Sequence, residues 1–154
     1  LHRNFQGYCT KRTTGQVYAF GVSAISQLDN GYTQNVKEID DYIGSIDHGR
    51  LPVEKGYVLT GDEALVRDAI TQVMCNDLFD IAAFSDQYGI SVERFLKVTG
   101  FNDARLSEMI KDNLVQYSDK KIYVSQTGRL FIRNVAVLFD PAYKSRPMQY
   151  SKTV

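Results

Sequence analysis

Cysteine is scarce in this chain, net charge is absent and long apolar runs do not occur, and each lack removes a class of function. Cys9 and Cys75 are the only two cysteines among 154 residues. They cannot furnish the three or four thiolates that an iron–sulfur cluster or a structural zinc requires. One disulfide is arithmetically open. With no signal peptide and no disulfide framework, however, a reducing cytoplasm is the expected compartment, with both thiols reduced. Lys plus Arg and Asp plus Glu number 18 each, so the formal charge is zero and no bulk field draws in nucleic acid or anionic lipid. No run approaches the ~18–20 apolar residues that span a bilayer. Three prolines, with 44% hydrophobic and 23% charged residues, exclude disordered and collagen-like classes. What remains is the size of one ordinary domain, or a middling one plus a small one, with enough chain to bury a core. The chain opens Leu1-His2-Arg3-Asn4 rather than with methionine, and is expected to be a piece of a longer protein.

Residues 1–16 are polar and rich in glycine, threonine and basic side chains, which reads as loop. The run Val17-Tyr18-Ala19-Phe20-Gly21-Val22-Ser23-Ala24-Ile25 suits a strand buried on both faces, as in a parallel sheet, whose partners would lie outside this chain. Val36, Ile39, Tyr42, Ile43 and Ile46 then recur at helical spacing behind Asn35, a candidate cap. Residues 55–59 read as a short extended link. Thr60-Gly61-Asp62-Glu63 has capping-box spacing and should open a long helix through Leu65, Ala69, Val73 and Met74. Shorter helices are predicted at 81–88, at 92–98 after Ser91 and before Gly100, and at 103–113. Two alternating runs, 114–118 and 122–125, predict a hairpin turning at Asp119-Lys120-Lys121, and Thr127 opens a final helix that Pro141 stops. The fold class is mainly α with a small β component: a residual barrel strand followed by a helical, winged-helix-like C-terminal domain. The expected domains are 1–33 and 34–154.

Most chemical motifs fail on inspection. Gly21-Val22-Ser23-Ala24-Ile25 lacks the second glycine of a hydrolase nucleophile elbow, which would have to stand at Ile25. Gly7, Gly15 and Gly21 are too far apart for a dinucleotide fingerprint. His2 and His48 have no ligand-spaced neighbours, and Glu38, Asp40 and Asp41 flank an apolar helix face as a solvated edge. Arg129 and Arg133 lie one helical turn apart after the hairpin, where a winged helix would touch phosphate, but Asp119 and Asp140 stand nearby. The ten tyrosines are dispersed and form no stacking platform.

The blocks Asn4-Phe5-Gln6-Gly7-Tyr8, Phe20-Gly21-Val22-Ser23-Ala24-Ile25-Ser26 and Tyr32-Thr33-Gln34-Asn35 resemble the C-terminal portion of the oxygen-independent coproporphyrinogen III oxidase family. Leu59-Thr60, Arg67-Asp68, Cys75-Asn76 and residues 127–134, Thr-Gly-Arg-Leu-Phe-Ile-Arg-Asn, extend the resemblance over nearly the whole chain. It implies a radical S-adenosyl-L-methionine enzyme of haem biosynthesis that decarboxylates two propionates of coproporphyrinogen III to the vinyl groups of protoporphyrinogen IX. The family's chemistry relies on a [4Fe–4S] cluster and S-adenosyl-L-methionine, and the family's three-cysteine cluster motif is absent here. The chain is therefore expected to bind no cluster and to have no turnover alone. The resemblance implies cofactor contacts at Ile25, with Gly21 and Ser23 shaping the same wall. Arg3, Lys11 and Arg12 are candidates for meeting substrate propionates, because guanidinium pairs well with carboxylate. The implied partners are the rest of the polypeptide, in the form of the barrel, and coproporphyrinogen III, with no nucleic acid or membrane. Self-association would cover apolar faces left bare. The rival reading is a winged-helix module binding DNA or protein.

Overall fold

The computed structural model describes residues 16–143, together with the backbone of two short strands, β1 (His2–Asn4) and β2 (Gly7–Cys9), which form a two-stranded sheet. The chain divides into two compact units, one running from Cys9 to Ala64 and the other from Leu65 onward and also taking in His2–Tyr8.

The first unit is a three-stranded antiparallel sheet in the order β3 (Ile25–Leu28), β4 (Gly31–Asn35), β5 (Val53–Val58), with helix α1 (Ile39–Asp47) inserted between β4 and β5. The return of β5 onto β4 is what carries this unit past residue 33 to Ala64. Gly31 is required for that pairing, since a Cβ there would lie 2.3 Å from the Tyr57 carbonyl oxygen. The predicted doubly buried strand over residues 17–25 is corrected. Only Val17 pairs, through a single antiparallel bridge to Gln27, and regular strand structure begins at Ile25. Gly21 at φ +98° and Ser23 at φ +57° bend the chain where a strand would need extended backbone. Tyr18, Phe20 and Ile25 consequently face outward, Phe20 at 87% exposure.

The predicted helix at 36–46 starts later, at Ile39, with Glu38 at its N-cap position and no side-chain cap bond. Its apolar stripe is there, but Ile39, Ile43 and Ile46 are exposed and α1 buries no residue. Every buried hydrophobic side chain among the described residues lies between Leu65 and Phe139. A three-stranded sheet without a covered apolar face is marginal by itself.

The buried core lies within the second unit. Helix α2 (Gly61–Cys75) begins as the capping box predicts. The Glu63 main-chain N–H donates to Thr60 Oγ1 at 3.2 Å, and the Thr60 N–H donates back to Glu63 Oε2 at 2.8 Å. Tyr57 also donates to Glu63, and these hydrogen bonds hold the carboxyl below its ordinary range. β6 (Leu78–Asp80), which the sequence reading did not foresee, pairs with β8 (Lys121–Val124), and β8 pairs with β7 (Val115–Ser118). The β7–β8 hairpin is the predicted one, and it turns through Asp119 and Lys120, both left-handed at φ +49° and +59°.

Helices α3 (Ile81–Gln87) and α4 (Val92–Thr99) are capped by Asp80 and Ser91, and α4 ends on left-handed Gly100. The predicted helix at 103–113 divides into a 3-10 turn, Asp103–Leu106, and α5 (Ser107–Lys111). The final helix is likewise broken into Gly128–Phe131, α6 (Ile132–Ala136) and Val137–Phe139. Leu130, expected in its buried stripe, is 82% exposed, while Ile132, Val135, Leu138 and Phe139 enter the core. Phe139 is the centre of an aromatic cluster, stacked on Phe101 at 4.5 Å between centroids and edge-on to Phe79 at 5.3 Å.

Candidate functional site

The turn over residues 19–24 is held by main-chain and side-chain hydrogen bonds on several sides. Asn35, 6% exposed at the end of β4, donates through Nδ2 to the Gly21 carbonyl oxygen at 2.9 Å and the Ala19 carbonyl oxygen at 3.5 Å. The Gly21 N–H donates to Tyr42 Oη on α1 at 3.0 Å, and the Ser23 N–H donates to the Val36 carbonyl at 2.8 Å. Gln34 Nε2 reaches the Ser23 carbonyl at 3.2 Å, and the Ala19 N–H donates to Ser26 Oγ at 3.0 Å. These bonds support a backbone that residues with a Cβ rarely adopt at Ser23.

The pairing also sets the direction of Ile25. The Asn35 N–H donates to the Ala24 carbonyl at 2.9 Å, whereas Gln27 exchanges its main-chain bonds with Val17 on the opposite edge. Main-chain groups alternate sides along a strand, so those of Ile25 face the same edge as Gln27, away from β4. The Ile25 side chain is 54% exposed, and a Cβ added at Gly21 would meet nothing within 4 Å. The turn therefore combines an accessible apolar side chain, a main-chain donor and acceptor at a sheet edge, and open room beside a glycine.

The structure brings Ile25, Gly21 and Ser23 together on this turn. Arg3 lies in β1, and its side chain, like Lys11 and Arg12 altogether, lies outside the described residues. Asn35 and Tyr42 were missed as supports. Asn35 was read as a helix cap, but it ends a strand and donates to the turn. No local signal in the sequence marks Asn35 as a support, because the carbonyls it holds lie 14 and 16 residues earlier.

Elsewhere the candidates are plain. His48 Nδ1 lies 2.6 Å from the Gly44 carbonyl at the exposed end of α1. Glu38, Asp40 and Asp41 are exposed. Lys121 pairs with Asp80 at 3.1 Å and Arg129 pairs with Asp77, so two cations of the hairpin region are matched by acids and the rival DNA-binding reading gains no support there. Arg133 borders a shallow cleft with Ile70, Met74, Ala136, Val137 and Asp140. Among the described residues no three His, Cys, Asp or Glu side chains are grouped to hold a metal, and Cys75 ends α2 half-buried. This donor set does not fit an iron–sulfur cluster.

Comparison with known proteins gives consistent matches. Residues 59–131 match the HemN C-terminal domain family. The whole chain aligns at 40% identity with an oxygen-independent coproporphyrinogen III oxidase of Salmonella typhimurium, and at 36% with one of Escherichia coli. The chain is thus similar over its whole length to a part of the oxygen-independent coproporphyrinogen III oxidases. It spans about a third of the length of these relatives, 33% in each case. A solved Escherichia coli structure, described as coproporphyrinogen III oxidase (HemN), a radical SAM enzyme, superposes with a TM-score of 0.75 at 35% identity. That match covers 92% of this chain and 32% of the solved one. The similarity to these oxidases and the mainly helical fold with small sheets are as the sequence resemblance implies. Among the described residues no helix is long and apolar enough to cross a membrane.

Proposed function

We propose that this chain is the C-terminal part of an oxygen-independent coproporphyrinogen III oxidase, an oxidoreductase of haem and porphyrin biosynthesis that converts two propionates of coproporphyrinogen III to vinyl groups. The observation that carries this reading is the alignment of the entire chain, at 40% identity, with an enzyme of that name. In this reading the rest of the polypeptide, a radical SAM barrel, supplies the cluster ligands that two cysteines cannot. The group bound there, S-adenosyl-L-methionine beside a [4Fe–4S] cluster, supplies hydrogen abstraction from the propionate.

This chain's own residues bind, orient and exclude water. Ile25 gives an apolar contact and a main-chain edge to the cofactor, while Gly21 and Ser23 shape the turn that presents it. Arg3, Lys11 and Arg12 pair with substrate propionates. The exposed faces of the first unit, Phe20, Ile25 and the isoleucines of α1, are covered by the remainder of the polypeptide. The protein works in the cytoplasm.

Anaerobic assay of the full-length polypeptide with coproporphyrinogen III and S-adenosyl-L-methionine tests the reading. Protoporphyrinogen IX should form, and the chain alone should give none. A full-length protein with an intact cluster but no vinyl product would overturn the proposal.

A further inference from the structure

Asn35 is a buried amide where the strand end would accept an apolar side chain, and its Nδ2 donates to two carbonyls of one turn, Gly21 at 2.9 Å and Ala19 at 3.5 Å. Burying an amide is unfavourable unless its hydrogen bonds are made, so the arrangement specifies geometry more than it adds stability. Tyr42 repeats the pattern from α1: its hydroxyl oxygen accepts the Gly21 N–H at 3.0 Å. Both polar groups of Gly21, N–H and C=O, are thus held by side chains from two different elements. Ser23 occupies left-handed backbone that is strained for a residue with a Cβ, and Gly21 a positive φ that glycine adopts freely but that needs fixing against its alternatives. Two residues beyond Ser23 comes Ile25, whose main-chain groups face away from β4, toward the edge where Val17 bridges Gln27, because the turn delivers the chain into β3 in that register.

We propose that Asn35 and Tyr42 are positioning residues for S-adenosyl-L-methionine, clamping Gly21 from both sides so that Ile25 meets the cofactor in a fixed orientation. This rests on the cofactor reading of Ile25 given above. Neither side chain is needed to touch the cofactor. Their removal leaves the wall present but loose, which weakens cofactor binding and leaves the substrate's own contacts unaltered.

The test uses the full-length polypeptide with Asn35→Ala, Tyr42→Phe and, in parallel, Ile25→Ala. Equilibrium dialysis with labelled S-adenosyl-L-methionine gives the Kd, and steady-state assays give KM and kcat for each reactant. Tyr42→Phe and Asn35→Ala should each raise the Kd and KM for S-adenosyl-L-methionine by about tenfold. The KM for coproporphyrinogen III should stay unchanged, and kcat at saturating cofactor should stay within about twofold. Amide exchange over residues 17–25 should quicken in the same variants. Tyr42→Phe keeps the ring and serves if Asn35→Ala fails to fold. A folded Tyr42→Phe polypeptide with the parent's cofactor Kd overturns the inference. If Ile25→Ala weakens the cofactor while the other two do not, the clamp is wrong and the cofactor wall stands. If Ile25→Ala changes nothing, the cofactor reading itself falls and takes the clamp with it.

Discussion

The Tyr88 hydroxyl donates to Asp68 Oδ2 at 2.6 Å, joining the end of α3 to the middle of α2, while its ring stacks on Phe84 at 4.6 Å. Asp68 is also engaged by Arg67 Nε at 2.8 Å. Burial first, and then the hydrogen bond and charge of Asp68, push the Tyr88 phenol well above its ordinary value, with Arg67 opposing. A folded-state value above the unfolded one stabilises the protein below the unfolded phenol's titration, and that stability disappears as pH rises through the folded value. Tyr88→Phe should therefore cost about 0.5–1 kcal/mol at neutral pH, the partial exposure keeping it small. It should also flatten the alkaline limb of thermal stability, read as Tm against pH. A limb as steep as the parent's would show that Tyr88 does not govern it.

Asp80 makes two contacts at a strand-to-helix junction. Its Oδ1 accepts the Ala83 N–H at 3.0 Å, and Oδ2 pairs with Lys121 at 3.1 Å. The Ala83 N–H, more than Lys121, holds its carboxyl below the ordinary range, against a smaller effect of burial. A depressed folded value gives stability that is present above the unfolded carboxyl's titration and is lost as pH falls through the folded value. Asp80→Ala should cost about 1 kcal/mol in urea denaturation at neutral pH. Asp80→Asn, which keeps a capping oxygen, should cost less yet weaken the acid-side loss. Equal costs for both at neutral pH would contradict the capping account.

Gly128 has almost no space around it. A Cβ at this position would lie 1.9 Å from the Leu114 carbonyl oxygen and 3.1 Å from Val124 Cγ1. The first obstacle is backbone, and the Leu114 carbonyl also accepts the Ser125 N–H at 3.0 Å beside the hairpin. Gly128→Ala should destabilise by about 1–3 kcal/mol. The urea midpoint should fall with an unchanged slope. A midpoint equal to the parent's would mean that the 125–128 turn shifts freely.

The isoleucine stripe of α1 makes a different prediction. Ile39 at 63%, Ile43 at 51% and Ile46 at 49% exposure recur on one helix face with nothing over them among the described residues. This chain by itself should self-associate through that face, and Ile43→Glu should shift sedimentation toward the monomer without lowering thermal stability. Association unaffected by the substitution would move the sticky surface elsewhere.

Where sequence pattern and burial shared a cause, the structure was legible. The capping box at Thr60 and Glu63, the Ser91 and Gly100 ends of α4, and the alternating hairpin strands all depend on contacts within a few residues. Residues 17–25 were misread because an apolar run indicates only that something covers it. Here that surface faces out, and the chain bends at Gly21 and Ser23. β6 was missed because a three-residue strand carries too little alternation to register. Asn35 looked like a cap because asparagine next to a helical pattern usually is one, and its true partners, Ala19 and Gly21, lie 16 and 14 residues earlier. Of the candidate site, Ile25 came from family resemblance, while its supports came only from the fold.

Asp119 and Lys120, consecutive at left-handed φ, leave this protein with an unexploited reserve. Asparagine and glycine are the residues such a two-residue turn favours. The tip lies in the second unit, whereas the turn at Gly21 and Ser23 belongs to the first. Engineers wanting a hardier protein can therefore begin at this tip, with the Gly21–Ser23 turn left alone.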